Sequence, residues 1–215
     1  MRSVIAECVF QARAGQLLGD KARLLEAGSG GLEAIENSAP HSECVRALEI
    51  LGIPDNETTA SRVSSELMKR SDLAITMTRQ QCYQMAHKFP EYKRRCFALI
   101  EINGAIETIL ESRGTALEDR DWEKLARGLP DAELSEALDG AASALRDAPR
   151  ELMRPIPGVP MNVRELMTLF STCFYQVSGI HDPIGGTEEE TERCARQIDT
   201  EVTRLLRGML TLALS

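Results

Sequence analysis

Apolar positions recur along this chain at two spacings. Val4, Ile5, Cys8, Val9 and Ala12 repeat every three to four residues, so the spacing predicts a first helix over residues 3–18, stopped by Gly19. No strand precedes that helix. Residues 22–27 (ARLLEA) read as a short strand, and Gly28-Ser29-Gly30-Gly31 as a loop. A second helix is expected with Pro40 near its first turn, Val45, Leu48 and Leu51 on one face and Gly52 at its end. After a polar linker over residues 53–62, Ser64 or Ser65 can cap a short helix running through Met68.

The run Asp72-Leu73-Ala74-Ile75-Thr76-Met77-Thr78 is the best strand signal in the chain. A helix over residues 79–88 should stop before Pro90, which cannot continue the hydrogen-bond ladder. Residues 96–102 (CFALIEI) read as the next strand. Strands alternating with helices at this spacing imply right-handed crossovers, a parallel sheet and helices on both faces: an α/β, three-layer architecture.

Residues 103–179 change to a helix-only pattern. Four apolar patches mark it: Ile106, Ile109 and Leu110; Trp122 and Leu125; Leu134, Leu138, Ala141 and Leu145; and Val163, Leu166, Met167 and Phe170. A stiff proline-rich loop over residues 155–160 separates the last two. This segment is expected to be a helical insertion within a single domain spanning 1–215. The closing helix has a clear start, since Thr187 with Glu190 has the form of a capping box. Cys194, Ile198, Val202, Leu205 and Met209 make its apolar stripe, expected to pack on the sheet.

Composition narrows the function classes. With 43% hydrophobic and 27% charged residues, 215 residues suffice for a folded domain with a real core. A net charge of -8 argues against nucleic acid or an anionic membrane as a partner, while leaving room for a local basic pocket. No membrane span or secretory signal is evident, so a cytoplasmic protein is expected. The six cysteines (Cys8, Cys44, Cys82, Cys96, Cys173 and Cys194) lack CxxC spacing and read as buried, reduced thiols. Neither they nor the three histidines suggest a metal site or a cofactor.

Chemistry gathers at two places. Arg2 and Ser3 open the first helix, where free backbone N–H groups and the dipole suit an oxyanion. Ile180-His181-Asp182-Pro183-Ile184-Gly185-Gly186 carries an acid on a rigid turn. Arg2-Ser3-Val4-Ile5-Ala6-Glu7-Cys8-Val9-Phe10 resembles the R-S-P-M-A-E-A-V-F segment of the low-molecular-weight protein tyrosine phosphatases and their arsenate-reductase relatives. Leu25-Glu26-Ala27-Gly28 resembles that family's S-A-G turn, residues 72–78 its a-D-l-i-l-x-M-t strand, and Asp182-Pro183-Ile184-Gly185-Gly186 its D-P-Y-G-x loop.

The resemblance implies two-step hydrolysis of a phosphomonoester, on protein tyrosine, through a cysteinyl-phosphate and without a metal. The substrate would be a phosphorylated protein or a small phosphomonoester. Arg2 would clamp the equatorial oxygens, Ser3 would hydrogen-bond the thiolate, and Asp182 would act as general acid and then base. In the family the nucleophilic cysteine lies six residues before the arginine, after a central first strand. In this numbering both precede Met1, so the printed chain is expected to lack that strand and to be inactive.

Two explanations compete, of which a start assigned too late is the expected one. The alternative is an inactive phosphate- or partner-binding remnant. A further reading is a thiol-coupled arsenate reductase using Cys82 and Cys96. Ile184 stands where the family has an aromatic lining the phenol slot, which loosens the expectation of phosphotyrosine specificity.

Overall fold

The computed structural model describes residues 1–35, 38–39, 41–54, 61–116, 121–148 and 179–215. Pro40, Cys173, the proline-rich loop and the fourth apolar patch lie outside the described residues, so the expectations placed on them are not taken further.

The first helix, α1 (Arg2–Leu18), falls where the spacing put it. Gly19 ends it at φ 57°, a backbone conformation that costs glycine little. Helix α2 (Ser42–Leu51) likewise ends at a left-handed glycine, Gly52. Ser64 caps α3 (Ser65–Arg70) by accepting the Leu67 N–H at 3.2 Å. Thr78 caps α4 (Arg79–Lys88) by accepting the Gln81 N–H at 3.2 Å.

Strand β1 (Ala74–Thr76) and strand β2 (Cys96–Ala98) pair in parallel, Ala74 opposite Cys96 and Thr76 opposite Ala98. The crossover between them carries α4. Among the described residues this two-stranded parallel sheet, with helices around it, is the β component of the α/β fold. A separate parallel bridge joins Gly31 to Arg62.

Two strand expectations need correction. Residues 22–27 form no strand: Gly19–Leu24 is a 3-10 helix, and the chain then runs extended from Leu25. Lys21 and Arg23 both reach Asp131, Lys21 also donating to the Leu129 carbonyl at 2.7 Å. These contacts tie the turn to a helix start rather than to a sheet. The second correction concerns residues 96–102, where the strand stops at Ala98 and α5 (Leu99–Ser112) begins. A short, largely apolar run fits either element, and here Leu99, Ile102 and Ile106 take the buried face of a helix.

Helices α6 (Trp122–Gly128) and α7 (Asp131–Asp147) follow. Leu134, Leu138, Ala141 and Leu145 are buried as expected, as is Trp122, whereas Leu125 is exposed. The 27-residue helix α8 (Glu188–Leu214) starts at the Thr187–Glu190 capping box. Its main partners are α1, α5, α2, α7 and α6 rather than the sheet. Ile5, Val9, Leu48, Ile106, Leu134, Ile198 and Leu206 therefore join one large core around it. Val63, Met68, Met85, Phe89 and Cys96 form a smaller cluster under α3 and α4, with Cys82 against it. The five described cysteines are not joined in disulfides.

Candidate active site

Arg2 belongs to the first turn of α1, a helix start that carries no side-chain cap. The leading N–H groups of a helix have no intrahelical acceptor, so this end favours an anion. The Arg2 side chain is only 12% exposed. Its Nη1 donates to the Ile180 carbonyl, and its Nη2 lies 3.1 Å from Asp182 Oδ2. Residues 180 positions apart in sequence thus meet as an arginine–carboxylate pair.

The segment that brings Asp182 there is anchored along its length. The Ile180 N–H donates to the Met77 carbonyl at 3.0 Å, just past the end of β1, and Ile180 is fully buried. Asp182 is 40% exposed through its side chain, yet its Oδ1 is buried and accepts no hydrogen bond among the described residues. Pro183 is buried, and the Gly186 N–H closes a turn on the Pro183 carbonyl at 2.9 Å. Gly185, at φ 73°, supplies the left-handed residue of that turn.

The loop then enters α8 through the capping box. Glu190 accepts the Thr187 N–H at 2.7 Å, and this bond, with the Thr187 hydroxyl, holds its carboxyl below the usual range. Glu43 on α2 is also held low, first by its own backbone N–H and the Ser42 hydroxyl, with the Gly185 N–H contributing. The acid loop is thereby tied to β1, α1, α2 and α8.

Of the residues expected at the site, the structure brings Arg2 and Asp182 into contact. Ser3 is half-buried one position along α1, and Ile184 stands 49% exposed on the loop beside Asp182. Sequence reasoning missed two features. Cys194, one of the thiols read as structural, is buried on α8 within electrostatic reach of Arg2, Asp182 and the N-terminal amino group. Burial pushes its thiol up to about 11, so at neutral pH it is protonated and a poor nucleophile. The second feature is an ion pair between Arg79 Nε and Glu101 Oε1, which joins α4 and α5 just past the C-terminal ends of β1 and β2. Its only sequence signal was the position of each residue shortly after a strand.

Gly186 and Thr187 also line a cavity of about 220 Å³ with Glu43, Arg46 and Glu188. Arg46 is paired to Glu188 there, and two carboxylates make it a poor seat for a phosphate. No group of metal ligands occurs among the described residues. No described helix is long and apolar enough to cross a membrane.

Comparison with known proteins bears on the family and the fold. A family model described as low molecular weight phosphotyrosine protein phosphatase matches residues 1–110, about half of the chain and including Arg2. The match ends before Asp182. Among solved structures, a YwlE mutant from Bacillus subtilis is similar at a TM-score of 0.54 and 17% identity, with 95% of this chain and 88% of that one covered. That likeness concerns the fold. No curated protein matches the sequence. With a two-stranded parallel sheet, an arginine at the first helix start and a match over its first 110 residues, the chain belongs to the low molecular weight phosphotyrosine protein phosphatase family.

Proposed function

We propose that Arg2 and Asp182 are the oxyanion clamp and the acid–base group of a phosphomonoesterase. The observation that carries this reading is their contact, which sets a donor fork and a carboxyl group side by side at a helix start. In the first step a thiolate attacks phosphorus and the bond to the leaving oxygen breaks. Asp182 gives its proton to that oxygen, while Arg2 holds the equatorial oxygens that gather charge. In the second step water attacks the cysteinyl-phosphate, Asp182 takes back the proton, and the thiolate and phosphate separate.

The thiolate of this scheme belongs six residues ahead of Arg2, outside residues 1–215, and Cys194 does not substitute for it. Residues 1–215 supply the clamp and the acid of this scheme, and they are expected to bind the anion. Calorimetry with inorganic phosphate tests the clamp: residues 1–215 should bind it and the Arg2→Ala variant should not. Equal affinity of the two would end this reading. A second arm tests the chemistry. A reading frame extended upstream of codon 1, with a cysteine six residues before Arg2, should yield a protein that hydrolyses p-nitrophenyl phosphate.

For the substrate, Ile184 offers an aliphatic surface beside Asp182. A phosphorylated side chain could rest on it without aromatic stacking, so phosphotyrosine should be accepted without strong preference. The extended protein compared on phosphotyrosine and aliphatic phosphate esters decides this.

A further inference from the structure

The hold on Arg2 depends on a contact that involves neither Arg2 nor Asp182. Gly179 lies against Thr78 so closely that a Cβ added to it would stand 2.8 Å from Thr78 Cγ2, 3.0 Å from Thr78 Cβ and 3.1 Å from the Met77 carbonyl oxygen. Here glycine serves close approach rather than an unusual backbone angle.

Thr78 cannot easily yield. Its hydroxyl caps α4 by accepting the Gln81 N–H, and its carbonyl accepts the Thr76 hydroxyl at 2.9 Å. The next residue on the other side, Ile180, donates its N–H to Met77 and turns its carbonyl to Arg2 Nη1. Any displacement forced at Gly179 therefore falls on the carbonyl that orients the guanidinium.

Resting on the reading of Arg2 as the phosphate clamp, we propose that Thr78 and Gly179 form a latch that orients the Arg2 guanidinium through the Ile180 carbonyl. Both are positioning residues. The latch holds one end of the fork by a neutral carbonyl and leaves the other to Asp182, so the guanidinium meets an incoming phosphate already aligned. A planar fork gains from such alignment, because its bidentate geometry is narrow.

Inorganic phosphate binding to residues 1–215, measured by calorimetry, tests the latch. Gly179→Ala should weaken binding about tenfold, within the penalty expected when a charged hydrogen bond is misaligned. Thr78→Ser, which keeps the cap and removes Cγ2, should match wild type. The double variant should return to within about threefold of wild type, since the nearest clashing atom is gone. A role confined to fold stability would lower the melting temperature of Gly179→Ala without moving the affinity of the folded protein, and that result overturns the proposal.

So does a double variant that binds as weakly as Gly179→Ala. Should Gly179→Ala fail to fold, Thr78→Ala decides, because it removes the hydroxyl that anchors Thr78 through the α4 cap without adding volume at Gly179. It should bind at least threefold more weakly than Thr78→Ser, and equal affinities overturn the latch. Arg2→Ala separates the two levels of the argument. If it leaves phosphate binding intact, the clamp reading fails; if it abolishes binding while Gly179→Ala does not, only the latch fails.

Discussion

Two arginines close the two ends of the short sheet, and they do so with different partners. At the start of β2, Arg95 gathers three carbonyls from the end of α3: Met68 at 3.4 Å, Lys69 at 3.3 Å and Ser71 at 2.8 Å. Its guanidinium also lies 5.4 Å from the Tyr92 ring centre. Every one of these acceptors is fixed main chain or a packed ring. At the other end Arg2 holds one carbonyl and one carboxylate, and the carboxylate is 40% exposed. A backbone acceptor cannot leave its donor without unfolding something; a side-chain carboxylate needs only a rotamer change. The same residue type is thus a structural clasp where its partners are fixed and a candidate for ligand exchange where one partner can swing away.

The largest expected effect that separates the two is Arg2→Ala. It should weaken phosphate binding at least thirtyfold, about 2 kcal/mol for loss of charge-assisted hydrogen bonds, with little change in the denaturation midpoint. Arg95→Ala should do the reverse. Removing the donor shared by the α3 carbonyls should cost about 1 to 2 kcal/mol in urea unfolding and leave phosphate affinity unchanged. If Arg95→Ala also impairs binding, the two ends are coupled and the division drawn here is wrong.

A smaller effect of opposite sign is expected for Asp182→Asn in residues 1–215. The neutral amide releases Arg2 Nη2 from its competitor, so phosphate should bind severalfold more tightly, even though the same change should abolish turnover in the extended protein. Glu188→Gln controls for general charge. An equal gain there would show that simple repulsion, not occupancy of the clamp, limits binding.

The smallest effect concerns Cys194. Its thiol is raised to about 11 in the folded protein. The neutral form is therefore favoured by folding: stability is at its full value below the ordinary thiol pKa and is lost as pH rises from there toward 11. Melting temperature against pH should show a fall in this window that Cys194→Ala removes, and an unchanged fall would assign it to other groups. Cys194 should also resist alkylation at pH 8 in the native state.

The helices were legible because their signals are local. Gly19 and Gly52 mark two ends, and the Thr187–Glu190 box marks a start; α1, α4 and α8 accordingly lie within a residue or two of where the sequence put them. The strands were legible in place but not in extent. At three residues each, β1 and β2 are too short for alternation to register, and residues 22–27 owe their turn to Asp131, a residue more than 100 positions away.

The pairing of Arg2 with Asp182 has no periodic signature at all. Only the likeness of both motifs to one family linked them. The latch at Thr78 and Gly179 and the clasp of Arg95 had no signal, because each joins segments far apart in sequence that no local pattern pairs.

The helix Glu188–Leu214 bears on how the protein is made. It touches α1, α2, α5, α6 and α7, so the main core cannot close before it has left the ribosome. Between the completion of α1 and the start of α8 lie some 170 residues, roughly 10 to 30 s of synthesis at ordinary rates. Through that interval α1 can pack on the turn that follows it, on α2 and on α6, but the part of its apolar face that α8 covers stays open. Arg2 can therefore meet Asp182 only after about 180 further residues have been made, so the candidate site forms late, together with the closing of the core.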